Sequence, residues 1–280
     1  MCRFQKGWVE MDKLSLFAQM LKGNDRPLDE VEVSWDERAE VFYYNQVHGS
    51  THYARAVPEL LVEKGIVTPS SRVLDIGAGS GRYAIPLAKR SKSVQALDVS
   101  SVMLGFLEEE VGRHQLDNVY SVQSAWPVSG AVIGQVDVAF AAMCPATRSV
   151  EALKKMSEVA QEYGVICQFT ASSDSVVDAL KEQGLIEGDV KGPHNDRDLL
   201  QAYFNVLWEL GYSPDVTYLD DTFVHEMSME EAIESYRKRY EALDLEALTN
   251  VLDTLGADGG VLKIVKKRTL GVLSWRTRFA

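Results

Sequence analysis

The sequence predicts an α/β fold in which a doubly wound, mostly parallel sheet carries helices on both faces. From Arg72 onward, short apolar runs alternate with longer amphipathic stretches, and a glycine-rich turn joins the first run to the helix that follows it. Two runs rich in branched residues close the chain. Strands that alternate with helices form parallel βαβ units, whose right-handed crossovers build a sheet covered on both sides.

The segment before the sheet is predicted to be an N-terminal helical cap. Apolar side chains recur there at helical spacing in three stretches, which two turns separate. We therefore divide the chain into a cap at 1–64 and a sheet-containing domain at 65–280. Because Met11 is a second plausible start, residues 1–10 are predicted to be a loosely ordered leader.

The alternating part of the domain contains five short apolar runs of strand type and three amphipathic stretches of helix type. The predicted strands are 73–77, 94–99, 119–123, 136–143 and 165–170, and the predicted helices are 81–90, 103–114 and 150–163.

The remainder of the chain is predicted to hold a largely helical insertion at about 185–260 and an antiparallel end. The insertion includes a helix near 196–210 and a strand near 215–227. The final runs, VLKIVKKR and TLGVLSWRTR, are predicted to pair with each other as a terminal hairpin.

The strongest functional signal is VLDIGAGSGRYAIPLAKRSKSVQALDVS, which begins at residue 73. It reads as a strand containing Asp75, a turn with Gly77, Gly79 and Gly81, a helix, and a second strand ending at Asp98. Glycines allow positive φ and close approach of a ligand to the backbone, and the N-terminus of the next helix offers free N–H groups. An acid at the end of the second strand lies where such folds bind ribose hydroxyls.

These residues resemble motifs I and II of class I S-adenosylmethionine (SAM)-dependent methyltransferases. The resemblance implies a Rossmann-like domain, SAM as cofactor and S-adenosylhomocysteine as product. It assigns the methionine portion of SAM to the glycine turn and the ribose to the second strand. The residues carried over on this basis are Asp75, Gly77, Ala78, Gly79, Gly81, Asp98 and Val99.

The resemblance extends less sharply to the third and fourth strands. The family places an acid that receives the adenine amino group after the third strand, where this chain has Ser124. We assign the adenine instead to Ser124, the backbone of Ala125 and the ring of Trp126, since aromatic faces suit planar ligands. The end of the fourth strand faces the methyl group in this family, so Ala142 and Met143 are predicted to line that point.

Three further residues are weighed from the sequence itself. Tyr44, near the end of the second cap helix, is predicted to cover the cofactor, against the alternative of ordinary helix packing. Cys144 has no activating base beside it in the sequence, so a small buried thiol is favoured over a nucleophile. His194 reads as part of a loop before a capped helix rather than as a catalytic base. No general base is identified.

Composition restricts the partners. The net charge of −12 is unfavourable for nucleic acid, which binds basic surfaces, so a small-molecule acceptor is predicted. The His, Cys and acidic residues show no metal-ligand spacing, so no metal is predicted. No apolar run approaches the roughly 18 residues of a membrane span, and the three cysteines are widely separated, so a cytoplasmic protein without membrane contact is predicted.

Two other classes of protein remain as alternatives. A SAM-binding regulator would keep the cofactor motifs with a degenerate acceptor pocket. An NAD-linked oxidoreductase is less favoured, because dinucleotide sites use GxGxxG and the third glycine of GAGSG is displaced by one residue.

Overall fold

The computed structural model describes residues 12–21, 23, 26–127, 133–187, 195–258 and 260–278. The predicted leader at 1–10 and His194 lie outside these ranges.

Within the described residues, four helices precede the sheet, and seven others alternate with or follow its strands. The helices are α1 (Lys13–Leu21), α2 (Leu28–Asp36), α3 (Ala39–His48), α4 (His52–Glu63), α5 (Ala84–Ala88), α6 (Ser101–Arg113), α7 (Val150–Val159), α8 (Ser175–Glu182), α9 (Arg197–Glu209), α10 (Met229–Arg239) and α11 (Leu245–Leu255). The strands are β1 (Arg72–Ile76), β2 (Ser93–Asp98), β3 (Val119–Gln123), β4 (Val136–Ala142), β5 (Ala160–Asp174), β6 (Asp215–Ser228), β7 (Ala257–Asp258) and β8 (Val261–Arg276).

The strands form one mixed sheet in the order β3-β2-β1-β4-β5-β8-β6, with the short β7 paired to β8. Strands β1 to β5 pair in parallel with one another. Strand β8 lies between β5 and β6 and runs antiparallel to both. The predicted doubly wound, mostly parallel sheet with an antiparallel end is therefore confirmed. Within the described ranges, no helix has the length and apolar content required to cross a membrane.

The predicted terminal hairpin is wrong, because its two runs form the single strand β8. Its side chains alternate without a turn from Val261 to Arg276, and both neighbouring strands are long enough to pair with most of its length. The predicted helix at 150–163 also ends early, at Val159. The next residue, Ala160, already pairs with Val136 of β4, so backbone pairing replaces the last predicted turn of helix.

Three clusters of buried apolar side chains hold the fold together. One lies between the sheet and α4, α5 and α6, and a second lies between the opposite face and α1, α7 and α9. Both faces of the central strands are covered, which explains their nearly continuous apolar sequence.

The third cluster belongs to a separate part of the fold, which we call the upper lobe. It consists of the outer ends of β5, β6 and β8 (170–174, 222–228 and 261–267) together with α8, α10 and α11. Its buried residues are Val176, Val177, Leu180, Ala232, Tyr236, Leu248, Val251, Leu252, Leu262 and Ile264. Because β5 runs parallel to β1 and β4, its outer end carries the upper lobe above the carboxyl edge of the sheet.

Packing between β5 and β8 leaves no room for a side chain at Gly164. The Cα partner of Gly164 is Trp275, and a Cβ at residue 164 would lie 2.1 Å from Cζ2 of the indole. Trp275 is 1% exposed, and its Nε1 donates to Ser157 Oγ over 2.9 Å. The indole can therefore move away from a side chain at residue 164 only by losing buried contacts and this hydrogen bond.

We expect Gly164→Ala to lower the free energy of unfolding by about 1–3 kcal/mol, the usual cost of overpacking a core. Gly105→Ala is the matched control, since Gly105 lies in α6 with no atom within 4 Å of the added carbon. That change should raise stability by about 0.5–1 kcal/mol, the usual advantage of Ala over Gly in a helix. Urea denaturation of both variants measures the difference, and equal midpoints would contradict this account of the packing.

Candidate functional site

The predicted site lies at the carboxyl edge of the sheet, where the strand order reverses. β1 has β2 on one side and β4 on the other. The chain leaves β1 for β2 on one side and later crosses from β3 to β4 on the other side. A crevice opens above the strand ends at such a point, and ligands of open α/β sheets bind there.

The turn after β1 needs its glycines for their backbone conformation. Gly77, Gly79 and Gly81 have φ of 71°, 54° and 89°, a region that residues with a Cβ rarely adopt. The N–H groups of Gly77 and Ala78 both donate to Leu97 O, over 2.8 and 3.0 Å. The turn is thereby fixed against the end of β2.

Two of these glycines are also required by space. A Cβ at Gly77 would lie 2.6 Å from Cys144 Sγ, and one at Gly81 would lie 2.4 Å from Leu107 Cδ1. The glycine turn is therefore packed between the end of β4 and α6, and larger residues would displace it from both.

Asp98 connects the glycine turn to the start of α6. Its Oδ2 accepts from Gly79 N over 2.8 Å, and its Oδ1 accepts from Ser100 N over 2.9 Å. Ser100 caps α6 by accepting from Met103 N. Burial raises the pKa of Asp98, while the backbone donors stabilise its charged form and oppose that rise.

Asp75 lies beneath the glycine turn and differs from Asp98 in its hydrogen bonding. It is 2% exposed, and its Oδ2 has no hydrogen-bond partner in the described part of the chain. Burial, followed by repulsion from Asp98, raises the pKa of Asp75 to about 8. An unsatisfied buried carboxyl oxygen is costly, so this atom is suited to a polar or cationic group of a ligand.

The residues after β3 occupy the far side of the crevice. Ser124 N donates to Asp98 O over 2.9 Å, and Ser124 Oγ contacts the carbonyl oxygen of Ala125 at 3.4 Å. Trp126 is 6% exposed and belongs to the core beneath α1, α7 and α9, with its Nε1 buried and unpartnered within the described ranges. The structure thus places Ser124 beside Asp98, and the assignment of adenine to these three residues stays a prediction.

The end of β4 lies on the other side of the glycine turn. Ala142 is its last residue, and Met143 has φ of 54° and donates from its N–H to Cys167 O over 2.9 Å. Cys144 then turns back against Gly77. Burial raises the pKa of the Cys144 thiol to about 12, which keeps it protonated and disfavours a nucleophilic role.

The N-terminal helices contact the site through residues that the sequence did not single out. Gln46 of α3 donates to Ser80 O over 3.1 Å and accepts from Ser80 Oγ over 2.8 Å. Asp36, at the end of α2, accepts from Ser100 Oγ over 2.5 Å. These bonds fasten the helical cap to both the glycine turn and α6.

Tyr44 is not among these contacts. Its side chain is 62% exposed, and its ring lies 4.3 Å from that of His48 on the same helix. The structure does not bring it to the other predicted site residues, and its assignment to the cofactor stays a prediction. Val99, in contrast, adjoins Asp98 and its N–H stabilises the Asp98 carboxylate.

The sequence does not predict the contacts of Gln46, Asp36 and Ser100. Among these three, only Ser100 is recognisable from its neighbours, because a serine just before an amphipathic stretch is a typical N-cap. Gln46 and Asp36 carry no such local signal. The described residues contain no cluster of three His, Cys, Asp or Glu side chains placed to hold a metal ion.

The site fits SAM on three observations of its own. The three glycines of the turn present no side chain to a ligand, Asp98 lies at the position of a ribose acceptor, and the buried oxygen of Asp75 has no partner among the described residues. Asp75, the glycine turn and Asp98 are therefore the groups that would hold it.

The raised pKa of Asp75 predicts a pH-dependent stability. The folded protein holds a proton that the unfolded chain loses near the ordinary pKa of 3.8, so this contribution is complete below that value and is lost as pH rises towards about 8. The Asp75→Asn variant has no ionisable group at this position. The free energy of unfolding of the wild type should therefore fall relative to that of the variant as pH rises from about 5 to about 9. Urea denaturation across this range measures the difference, and parallel pH profiles would contradict a buried, neutral Asp75.

Comparison with known proteins agrees with this geometry. A family model described as a methyltransferase domain matches residues 73–164, which include β1 to β4 and the whole glycine turn. An uncharacterized protein of Haemophilus influenzae is 31% identical over 109 residues, 39% of each chain. Ribosomal RNA small subunit methyltransferase A of Desulforapulum autotrophicum is 35% identical over 60 residues, 21% of each chain. The chain thus spans two fifths of the first relative and one fifth of the second.

Solved structures of similar fold include magnesium protoporphyrin IX methyltransferase from Synechocystis with bound S-adenosylhomocysteine. It is 15% identical, with a TM-score of 0.47, over 86% of this chain and 98% of that one. A SAM-dependent methyltransferase from Aquifex aeolicus is 16% identical, with a TM-score of 0.45, over 81% and 95%.

The family match and the site geometry coincide on the same part of the chain. Residues 73–164 therefore match a methyltransferase domain over the same strands and glycine turn that form the site.

Proposed function

We propose that this protein transfers a methyl group from SAM to a small-molecule acceptor. The observation that carries the proposal is the joint fixing of the glycine turn by Asp98 and by the helical cap. Gly79 N donates to Asp98, and Ser80 exchanges two hydrogen bonds with Gln46. The cofactor end of the crevice is thus both preorganised and covered by helices.

Bound SAM would supply a methyl group on a positively charged sulfur. A lone pair of the acceptor would form the new bond to the methyl carbon, and the sulfur would keep the electron pair of the broken bond. The protein contributes by holding the acceptor in line with that carbon and by excluding water. Asp98 and the glycine turn fix the position of the cofactor. An acceptor hydroxyl or ammonium must in addition lose its proton, to a group of the protein or to water.

The charge of the chain supports a small acceptor. A net charge of −12 repels a polyphosphate backbone, which binding proteins neutralise with lysine and arginine. The upper lobe also lies beside the site. Its residues provide additional walls, which a pocket that encloses a small acceptor needs.

Ribosomal RNA is the second candidate acceptor. The names of two relatives favour it, since both are described as ribosomal RNA small subunit methyltransferases, although each match covers only 21% of this chain. We favour the small molecule because the net charge is a property of the whole chain, whereas these matches cover one fifth of the chain.

We also propose that the protein works in the cytoplasm. Cys144 and Cys167 are free thiols in the structure, and disulfides rather than free thiols are typical of secreted proteins.

Incubation with SAM labelled in its methyl group tests the proposal. The protein should label a component of a small-metabolite extract and leave ribosomal RNA from small subunits unlabelled. Asp98→Ala is the inactive control. Label in ribosomal RNA alone would overturn the small-molecule assignment, and absence of label from both substrates would favour a SAM-binding regulator.

Asp98→Ala should weaken SAM binding by about 10- to 150-fold, the equivalent of losing charge-assisted hydrogen bonds worth about 1.5–3 kcal/mol. Calorimetric titration with SAM and S-adenosylhomocysteine measures the change. Asp253→Ala removes an exposed carboxylate near the end of α11 and should bind SAM like the wild type. Equal affinity in both variants would remove Asp98 from the site.

A further inference from the structure

The turn between α3 and α4 links the glycine turn to strand β6. Arg82, which follows Gly81 directly, donates from Nη2 to Ser50 O over 2.9 Å. Ser50 Oγ donates to Asp221 Oδ2 of β6 over 3.0 Å. A single residue therefore joins the cofactor end of the crevice to the antiparallel strands beside it, and we call this place the Ser50 junction.

A second arginine reaches the Ser50 junction from β8. Arg268 is the Cα partner of Asp221 on one side and of Ser172 on the other. Its guanidinium lies over the rings of Phe169 and Phe223, with its central carbon 5.8 and 5.1 Å from the ring centroids. Aromatic faces attract a guanidinium and hold its plane in a defined orientation.

The backbone of Arg268 is fixed as well. Tyr53 of α4 donates from its hydroxyl to Arg268 O over 2.6 Å. Tyr53 lies three residues after Ser50, so the same turn positions both arginines. Their placement is set by several elements rather than by one flexible loop.

Both guanidiniums keep unused hydrogen-bond donors. The Nε atoms of Arg82 and Arg268 are buried, and neither has a hydrogen-bond partner in the described part of the chain. Among the same residues, neither guanidinium forms an ion pair with a carboxylate within 4.0 Å. A buried N–H of a charged group without a partner is costly unless a ligand supplies the acceptor.

Charged groups of both signs act on Arg268 at the junction. Burial lowers the pKa of Arg268, the nearby charge of Arg82 lowers it further, and Tyr53 and Asp221 oppose the change. Asp221 offsets one of the two positive charges. Asp220 accepts from Thr269 Oγ1 over 2.7 Å, and alternation along β6 places its side chain on the opposite face of the sheet from Asp221. Among the described residues, Asp221 is the one carboxylate that raises the pKa of Arg268.

We infer that the methyl acceptor is an organic monocarboxylate whose carboxylate binds between Arg82 and Arg268 at the Ser50 junction. The inference rests on the proposed function, of which it specifies the substrate class. A carboxylate accepts paired N–H bonds from guanidinium groups, and its negative charge suits a place where the guanidiniums of Arg82 and Arg268 lie near one another. Because Arg82 adjoins the glycine turn, an acceptor held there lies next to the cofactor end of the crevice.

Benzoate is the probe, with benzyl alcohol as its uncharged counterpart and inorganic phosphate as a different anion. The arginine Nε–H resonances of the protein with bound S-adenosylhomocysteine are followed by NMR during each titration. Benzoate should shift the Arg82 and Arg268 signals saturably at millimolar concentration. Benzyl alcohol and phosphate should shift them at least ten times less effectively.

Arg268→Gln should weaken benzoate binding at least tenfold without changing the affinity for S-adenosylhomocysteine. Arg276→Gln is the matched control, since Arg276 lies at the end of the same strand over the ring of Tyr163, and it should bind benzoate normally. Arg268→Lys keeps the charge but loses the planar pair of donors, so it should fall between the two. It also provides the comparison if the Gln variant does not fold.

Equal binding of benzoate and benzyl alcohol would overturn the inference, as would preferred binding of phosphate or equal losses in Arg268→Gln and Arg276→Gln. The proposed function fails separately if S-adenosylhomocysteine does not bind at all. In that case benzoate titration of the protein alone still tests the Ser50 junction.

Discussion

Asp98 carries the two hydrogen bonds on which the geometry of the site depends. One of its oxygens accepts from the glycine turn at Gly79 and the other from the first residue before α6, Ser100. Both donors are backbone groups at places where the chain forms neither helix nor sheet, so they need a side-chain acceptor. Ser100 in turn donates to Asp36 of the helical cap. The turn, α6 and the cap are therefore held in register around a single carboxylate.

Much of this arrangement follows from local sequence. A strand, a GxGxG turn and an acid at the end of the next strand lie within 30 residues, and each part has a short-range cause in backbone conformation or strand alternation. Asp98 and the glycines were predictable for that reason. The doubly wound sheet was predictable as well, because right-handed crossovers leave few other arrangements for alternating strands and helices.

Other features depend on contacts between distant residues. The sequence predicts two strands where the structure has the single strand β8. The sequence of β8 does not show that β5 and β6 both pair along most of this strand. Gln46 with Ser80, and Ser50 with Asp221, are 34 and 171 residues apart. Polar pairs at such separations leave no periodic pattern, and their residue types are common on any helix or turn. The long-range contacts of the cap and of the Ser50 junction are therefore the least visible in sequence.

The position of α10 and α11 has a consequence for which parts of this chain tolerate change. These helices connect β6 to β8, two antiparallel neighbours that a turn of two residues is able to join. The sheet does not need them for its topology, and they contribute to the core of the upper lobe rather than to either core of the sheet. Insertions, deletions or exchange of this segment would leave the cofactor turn and Asp98 in place. The chain thus separates the strands and turn that form the predicted cofactor site from a helical segment that the sheet does not require.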